Sequence, residues 1–415
     1  MELKRRALPV LTALMLVLTL FGLLPGGALR AEMSDAYGLR VAGREVTSLN
    51  KDDILGDGSF KYDPDVKTLY VYGSLTHGSG FSYGEGGPCI ANDRVKGLTI
   101  NVVNDAVLTI ENDWERCIDL YSSTTITGKG KLTLVAPSVC LIVNIESTQN
   151  GDIIIEDADI ECRSESRGFL GCNKNEKLIV RRSSIKMTNI YYTVNMFPKG
   201  IELEGCEITK PVNYEIKLGA IYDADTNKIT KDLTIVPVLD TVNITAREPK
   251  PGEKPNLTGS ADSTVALSWR VKLNSPVLPY IEMPDRVAWF EGSTELTEST
   301  TFKEGTVYTV KARIKANEGY ALTKDTKVYI NGRLASTTAS DFSGYVTYSV
   351  DIRATDVIPG DVDDSGEVNM KDITTLQRYV NGWDVTINAA NSDLDGSGDI
   401  GMKDITALQR LINSK

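Results

Sequence analysis

Histidine is almost missing from this chain of 415 residues, since His77 is the single one. A Ser/His/Asp triad, a catalytic histidine pair and a zinc site built from several histidines are therefore disfavoured. Positive charge is also in deficit, with 45 Lys and Arg against 56 Asp and Glu and a formal net charge of -11. Nucleic-acid binding needs a basic face, so this class of partner is not expected. Any chemistry here must depend on carboxylates, arginine or lysine.

Long apolar runs are absent except at the start of the chain. A basic segment at residues 4–6 precedes the apolar run 7–24, and a Pro-Gly-Gly turn follows it. This order is typical of an export signal, with cleavage expected near Ala28 or Ala31. We therefore expect residues 1–31 to be removed and the protein to be secreted and extracellular, without stable membrane insertion.

The C-terminal end of the sequence is an internal duplication. Residues 361–382, DVDDSGEVNMKDITTLQRYVNG, recur at 393–414 as DLDGSGDIGMKDITALQRLINS. Each copy has oxygen-bearing side chains at positions 1, 3, 5 and 12 of a loop and glycine at position 6, a pattern that wraps hard ligands around calcium. In the second copy position 9 is Gly401, so a water molecule must take that place. The predicted ligands are Asp361, Asp363, Ser365, the Glu367 carbonyl, Asn369 and Asp372, and then Asp393, Asp395, Ser397, the Asp399 carbonyl and Asp404.

A short amphipathic helix is predicted after each loop. Apolar residues recur at helical spacing in both copies, and the two apolar stripes should pack on each other. So short a segment has a small core, so we expect calcium binding to be coupled to its folding. The stripes are Ile373, Leu376 and Val380 in the first copy and Ile405, Leu408 and Ile412 in the second.

These duplicated loops and helices resemble the type I dockerin over residues 355–415. The resemblance implies two Ca²⁺ ions and a cohesin domain of a cellulosomal scaffoldin as the partner. It also implies that four positions in each helix face the cohesin, and their repetition suggests binding in either of two orientations. These positions are Met370, Lys371, Gln377 and Arg378, repeated as Met402, Lys403, Gln409 and Arg410.

Residues 32–245 lack helical periodicity and consist of short β-branched runs separated by turn residues. Five runs align on central apolar residues that are 24, 28, 25 and 23 positions apart, and a second column recurs at similar spacing. Such a repeat predicts a mainly β fold, a right-handed parallel β-helix with an N-terminal cap. The first column is Leu108, Leu132, Ile160, Ile185 and Ile208, and the second is Ile155, Val180 and Leu203.

The six cysteines leave two interpretations open. Cys89, Cys117 and Cys140 are 28 and 23 residues apart, as stacked inward-facing residues would be. We expect buried thiols, because cysteine is among the most buried residue types. Disulfides remain the alternative in an exported chain.

Residues 89–210 also resemble parallel β-helix proteins that bind plant polysaccharides and, more distantly, pectate lyases. The resemblance implies contact with plant cell-wall polysaccharide, for which exposed aromatic rings are the useful groups. The candidates are Trp114, Tyr121, Phe169, Tyr191 and Tyr192.

A catalytic alternative depends on the acidic patch around residue 157. Asp157, Asp159, Arg181 and Arg182 are the candidate catalytic residues of a β-elimination lyase or of a two-carboxylate glycoside hydrolase. The competing interpretation is a charge ladder on a solvated face, because the repeat stacks residues 156, 181 and 204.

Residues 246–354 form a separate pattern after a Pro-rich linker. Alternating apolar residues and an Asn-Gly turn predict an antiparallel immunoglobulin-like β-sandwich that serves as a spacer or as an accessory carbohydrate contact. The favoured function is a secreted cellulosome component that binds polysaccharide without necessarily cleaving it. An enzyme of the same shape and a cell-surface adhesin are the alternatives.

Overall fold

The structure is a computed structural model that describes residues 35–77, 87–111, 115–143, 151–172, 174–188, 190–273, 280–340, 343–354 and 358–414. The predicted export signal and Trp114 lie outside these ranges. Within the described residues, no helix is long and apolar enough to span a membrane.

The N-terminal part is a β-solenoid of about four turns, which confirms the predicted parallel β-helix. Its strands are β1 (Ala36–Val41), β2 (Arg44–Thr47), β3 (Phe60–Asp63), β4 (Thr68–Val71), β5 (Leu75–His77), β6 (Ile90–Asn92), β7 (Leu98–Val102), β8 (Ala106–Ile110), β9 (Arg116–Leu120), β10 (Thr124–Thr127), β11 (Lys131–Ala136), β12 (Val139–Val143), β13 (Ile153–Glu156), β14 (Asp159–Ser164), β15 (Arg167–Leu170), β16 (Leu178–Arg181), β17 (Ser184–Met187), β18 (Tyr192–Asn195), β19 (Ile201–Glu204), β20 (Cys206–Lys210), β21 (Tyr214–Lys217), β22 (Ala220–Asp223), β23 (Lys228–Ile229) and β24 (Leu233–Pro237).

Three sheets form the faces of the solenoid. Their strand orders are β18-β15-β12-β9-β6-β1-β2, β19-β16-β13-β10-β7-β4-β3 and β20-β24-β17-β14-β11-β8-β5. Neighbours in the stacked part are three strands apart in sequence and parallel, because each turn adds one strand to each sheet. Alternate side chains point inward, as Ile153 and Ile155 do, and build one continuous apolar core.

The register confirms one predicted column and corrects the other. Ile155, Val180 and Leu203 are in direct register across β13, β16 and β19. In the first column, however, Leu108 pairs with Leu134, and it is Ala106 that lies beside Leu132. The pairing of β11 with β8 is thus shifted by two residues from the predicted alignment. A shift of two keeps the same side chains facing inward, so the hydrophobic pattern of the sequence cannot reveal it.

Both ends of the solenoid use antiparallel strands. At the start, β1 pairs antiparallel with β2 and β6, and β3 pairs antiparallel with β4. At the far end, β24 inserts antiparallel between β17 and β20, so Ile235 separates Ile185 from Ile208. The sheet β21-β22-β23 adds a small antiparallel unit there. These strands pair backbone groups that a bare solenoid end would leave open.

The cysteines are free thiols inside or beside this core. Cys89, Cys117 and Cys140 occupy one stacked column, since their neighbours Ile90, Ile118 and Leu141 are in register. Burial and neighbouring thiols raise the pKa of Cys162, which keeps this thiol protonated and unreactive.

The middle β module (residues 239–354) has its own apolar core, in which Trp289 and Tyr308 are fully buried. Its strands are β25 (Thr241–Ala246), β26 (Gly259–Ala261), β27 (Val265–Lys272), β28 (Tyr280–Pro284), β29 (Ala288–Glu291), β30 (Thr294–Glu295), β31 (Val307–Ala316), β32 (Lys327–Ile330), β33 (Arg333–Leu334), β34 (Ser336–Ser340) and β35 (Val346–Arg353).

Two sheets make up the middle β module. One has the order β26-β25-β32-β33; the other contains β28-β27-β31-β29-β30, with β35 on β31 and β34 on β35. The all-antiparallel arrangement predicted from the sequence is wrong at one pair, since β25 runs parallel to β32. The chain reaches β25 directly from the solenoid end, since β24 ends at Pro237 and β25 begins at Thr241. An immunoglobulin-like topology is not confirmed.

The C-terminal unit is helical. It contains α1 (Met370–Val380), the single-turn α2 (Ala389–Ser392) and α3 (Met402–Asn413), and α1 packs on α3. Ile373, Leu376, Ile405 and Leu408 lie in one core, with Val380 and Ile412 against it. The predicted packing of the two apolar stripes is thereby confirmed.

Candidate functional site

The first candidate calcium loop gathers three carboxylates. Oxygen atoms of Asp361, Asp363 and Asp372 lie within 4.8 Å of one another. The backbone N–H groups of Ser365 and Gly366 both donate to Asp361, each at 2.9 Å. Gly366 has a φ of 87°, a left-handed conformation that glycine adopts without strain. The turn therefore folds the loop around its first carboxylate.

The second candidate calcium loop repeats this geometry. Oxygen atoms of Asp393, Asp395 and Asp404 lie within the same 4.8 Å limit. Ser397 and Gly398 donate their N–H groups to Asp393 at 3.1 and 3.0 Å. Loops of matching geometry follow from the matching sequence, because these hydrogen bonds are made within each loop.

Positions 5 and 7 also converge in both loops. The Ser365 hydroxyl donates to the Glu367 carbonyl at 3.2 Å, and Ser397 does the same to Asp399 at 3.1 Å. Asn369, the predicted ligand at position 9, accepts the Lys371 N–H at 2.9 Å and so caps helix α1.

Carboxylate, hydroxyl and carbonyl oxygens are the donor set that calcium prefers. Burial is the main factor that raises the pKa of Asp361, and the nearby Asp372 and Asp364 charges add to it. A divalent cation among these carboxylates offsets their repulsion, so the residues present fit the metal.

The eight predicted cohesin-facing side chains are all exposed on α1 and α3. Met370 and Met402 are 63% and 68% exposed, which is unusual for methionine. Sequence reasoning missed Trp383, which is 63% exposed just beyond α1, with its ring 5.6 Å from the Arg378 guanidinium. The second copy has lysine, not tryptophan, at the corresponding position 415. A comparison of the two repeats for residues that differ could therefore have singled out Trp383.

The solenoid's charged candidates form ion pairs along the stack. Arg181 contacts Glu204 with Nε to Oε2 at 2.7 Å, as a charge ladder predicts. Arg182 contacts Asp157 at 2.7 Å and Glu156 at 2.9 Å. The Arg182 hydrogen bond lowers the pKa of Asp157, which keeps this carboxyl ionised and makes it a poor general acid.

Three of these candidates nevertheless line one open cleft. The cleft has a volume of about 540 Å³ and lies where the solenoid meets the middle β module. Its wall includes the side chain of Tyr320, which is 40% exposed. Arg181 is not part of it. The cleft residues are Gly128, Lys129, Asp157, Ala158, Asp159, Arg182, Ser184, Pro237, Glu318, Gly319 and Tyr320.

Among the described residues, the predicted aromatic candidates are not gathered into one site. Phe169 is fully buried, which corrects its assignment as a surface ring. Tyr121 is half-buried. Tyr191 is 56% exposed and meets Tyr192 edge-on, with ring centroids 4.4 Å apart.

Comparisons with known proteins identify one part of the chain. No significant match was found among curated proteins or among solved structures. The family of the dockerin type I domain matches residues 359–413, the segment that carries both candidate calcium loops and α1 to α3. Residues 359–413 are therefore a type I dockerin domain.

Proposed function

We propose that the chain is a secreted cellulosome component that docks to a scaffoldin cohesin and binds plant cell-wall polysaccharide through its solenoid. The dockerin implies cohesin docking in a cellulosome, and a β-solenoid fits a polysaccharide-active domain. The observation that carries the docking is the repetition of four exposed side chains on α1 and α3 behind two matched loops. We assign one Ca²⁺ ion to each loop.

Docking is tested with the full mature chain against a panel of cohesin domains on native gels. A shifted complex in calcium that disappears in excess chelator supports the proposal. If calcium makes no difference to any complex, or if no cohesin in the panel shifts, calcium-dependent docking is refuted for that panel.

For the polysaccharide, the cleft between the solenoid and the middle β module is the best-supported contact. Tyr320 offers a ring for stacking on a sugar, while Asp159 and Ser184 offer oxygen atoms to its hydroxyl groups. Asp157, Asp159 and Glu318 outnumber the cations Lys129 and Arg182 in its wall. An uncharged chain such as cellulose or unsubstituted xylan therefore fits better than anionic pectin.

The binding experiment measures retention of the full mature chain on insoluble polysaccharides. Tyr320→Ala should lower retention on the uncharged polysaccharides, whereas Tyr280→Ala should not. Tyr280 is a matched control because it is 50% exposed in the same module and lies outside the cleft. Equal retention of both variants would remove the cleft from the proposal, and no retention of the parent chain would refute binding.

Catalysis is the second candidate, because Asp157, Asp159 and Arg182 share the cleft. Turnover would appear as unsaturated product absorbance from a lyase or as new reducing ends from a hydrolase, and Asp159→Asn should abolish it. Polysaccharide retained without either product supports binding alone.

A further inference from the structure

Arg333 of the middle β module reaches the dockerin. Its side chain is only 6% exposed, and it lies between two carboxylates. One nitrogen is 2.7 Å from Glu248 of its own module, and the other is 2.7 Å from Asp364 of the first calcium loop. Such a mostly buried arginine is held by both partners, because a fork of N–H donors matches two carboxylates.

The two loops differ at the residue that Arg333 contacts. Position 4 is Asp364 in the first loop and Gly396 in the second, and both have a left-handed backbone, with φ of 55° and 68°. A side chain in this conformation is strained relative to glycine, although aspartate tolerates it better than most residues. The Asp364 carboxylate has a second partner, since it also accepts from Asn388 Nδ2 at 2.5 Å. The second loop has no carboxylate at this position.

Further contacts join the same two units. Asp384, just after α1, accepts from Lys327 Nζ and from the Tyr329 hydroxyl, each at 3.1 Å. Gly332 lies against the buried Ile387 of the dockerin. Met370 and Met402, which are predicted to face the cohesin, are not part of these contacts. A cohesin and the middle β module therefore do not compete for these two side chains.

We propose that Arg333 couples the first calcium loop to the middle β module, so that the first loop binds calcium more tightly in the full chain than without this link. The Arg333 ion pair holds Asp364, and therefore the backbone of the loop, in the conformation that presents Asp361 and Asp363. Preorganisation of this kind lowers the cost of binding. Linkage requires that calcium in the first loop also strengthens the contact between the two units.

This inference rests on the proposed assignment of one ion to each loop. Its test is calcium titration calorimetry on the full mature chain, in a parent that carries Asp395→Ala so that only the first loop binds. Arg333→Met should weaken the remaining site about tenfold, within the usual range of coupling. Asp364→Gly should do the same, and it copies the glycine that the second loop already carries. The double variant should be no weaker than either single variant, because both remove one link.

The control is Arg247→Met, since Arg247 forms an exposed ion pair with Glu253 in the same module. It should leave calcium affinity unchanged. Unchanged affinity in Arg333→Met and Asp364→Gly, or strictly additive losses in the double variant, would overturn the coupling while leaving the calcium site intact. Absence of calcium heat in the chain without Asp395→Ala would instead refute the assigned ions and the coupling with them.

Discussion

Asp372 and Asp404 make the same three backbone hydrogen bonds in the two halves of the dockerin. Asp372 accepts from Val362, Asp363 and Asn369 at 2.7, 3.1 and 2.8 Å. Asp404 accepts from the corresponding Leu394, Asp395 and Gly401 at 2.9, 3.2 and 2.8 Å. Each aspartate therefore closes its loop and begins its helix, and its carboxylate lies within 4.8 Å of the other two carboxylates of that loop. One residue thus joins the candidate calcium loop to the helix behind it.

Replacement of this aspartate should weaken both calcium binding and folding. Asp404→Asn leaves a buried amide against three N–H donors, so we expect about 1 to 3 kcal/mol of lost stability in the dockerin. Calcium calorimetry should show loss of the second site. The matched control is Asp399→Asn, because Asp399 contributes only its backbone carbonyl. Equal effects of the two variants would contradict the assigned roles.

Chelation should unfold the dockerin and leave the solenoid intact. The core of this unit contains few buried residues, so its folding is expected to depend on the metal. Hydrogen exchange followed by mass spectrometry should show lost protection in α1 and α3 after chelator is added, with protection of β13 and β16 unchanged. Retained protection of both helices in chelator would show that the fold is independent of calcium.

Docking in two orientations predicts an unusual pattern among methionine variants. Met370→Ala and Met402→Ala should each leave much of the cohesin affinity, because the other copy can take the same place. The double variant should lose binding by far more than the two single losses combined. Val212→Ala, at an 84% exposed residue of the solenoid, is the control. A large loss from one single variant alone would indicate one fixed orientation.

Acid should weaken the solenoid at Glu161. Hydrogen bonds from Arg163 and Lys131 hold the pKa of Glu161 at about 2, and an unfolded glutamate titrates near about 4.3. The folded pKa is the lower one, so this stabilisation is complete above the unfolded pKa and is lost as pH falls toward 2. Glu161→Gln should flatten the pH dependence of denaturant unfolding in this window. Glu165 is exposed, and the control variant Glu165→Gln should show the same pH dependence of unfolding as the parent chain.

Close stacking of the solenoid turns should make Gly128 intolerant of a side chain. It has a φ of 129°, and an added Cβ would overlap the Val102 carbonyl of the preceding turn. Gly128→Ala should destabilise the solenoid by about 2 to 4 kcal/mol. Gly200→Ala, at a φ of 100° with open space around it, should cost about 1 kcal/mol. Thermal unfolding of both variants measures the difference, and equal melting temperatures would contradict the overlap.

The dockerin could be recognised from the chain, and its family matches residues 359–413. The predicted ligands of each calcium site lie within one loop, and each apolar stripe lies within one helix, so both patterns are short-range. The repeat length of the solenoid is also a local property, since each turn must return to the same three faces. For that reason the spacing in the sequence predicts the register of Ile155, Val180 and Leu203, and the structure confirms it.

Long-range packing decided the remaining features. The displacement that pairs Leu108 with Leu134 preserves the inward face, and the antiparallel insertion of β24 resembles any other apolar strand in sequence. Tyr320 and Asp159 line one cleft only because two modules abut, and Arg333 contacts Asp364 only because the dockerin packs on β33. Amino-acid periodicity records which side chains face inward within one element. Which elements then meet depends on the packing of whole surfaces, and that is settled only in the folded chain.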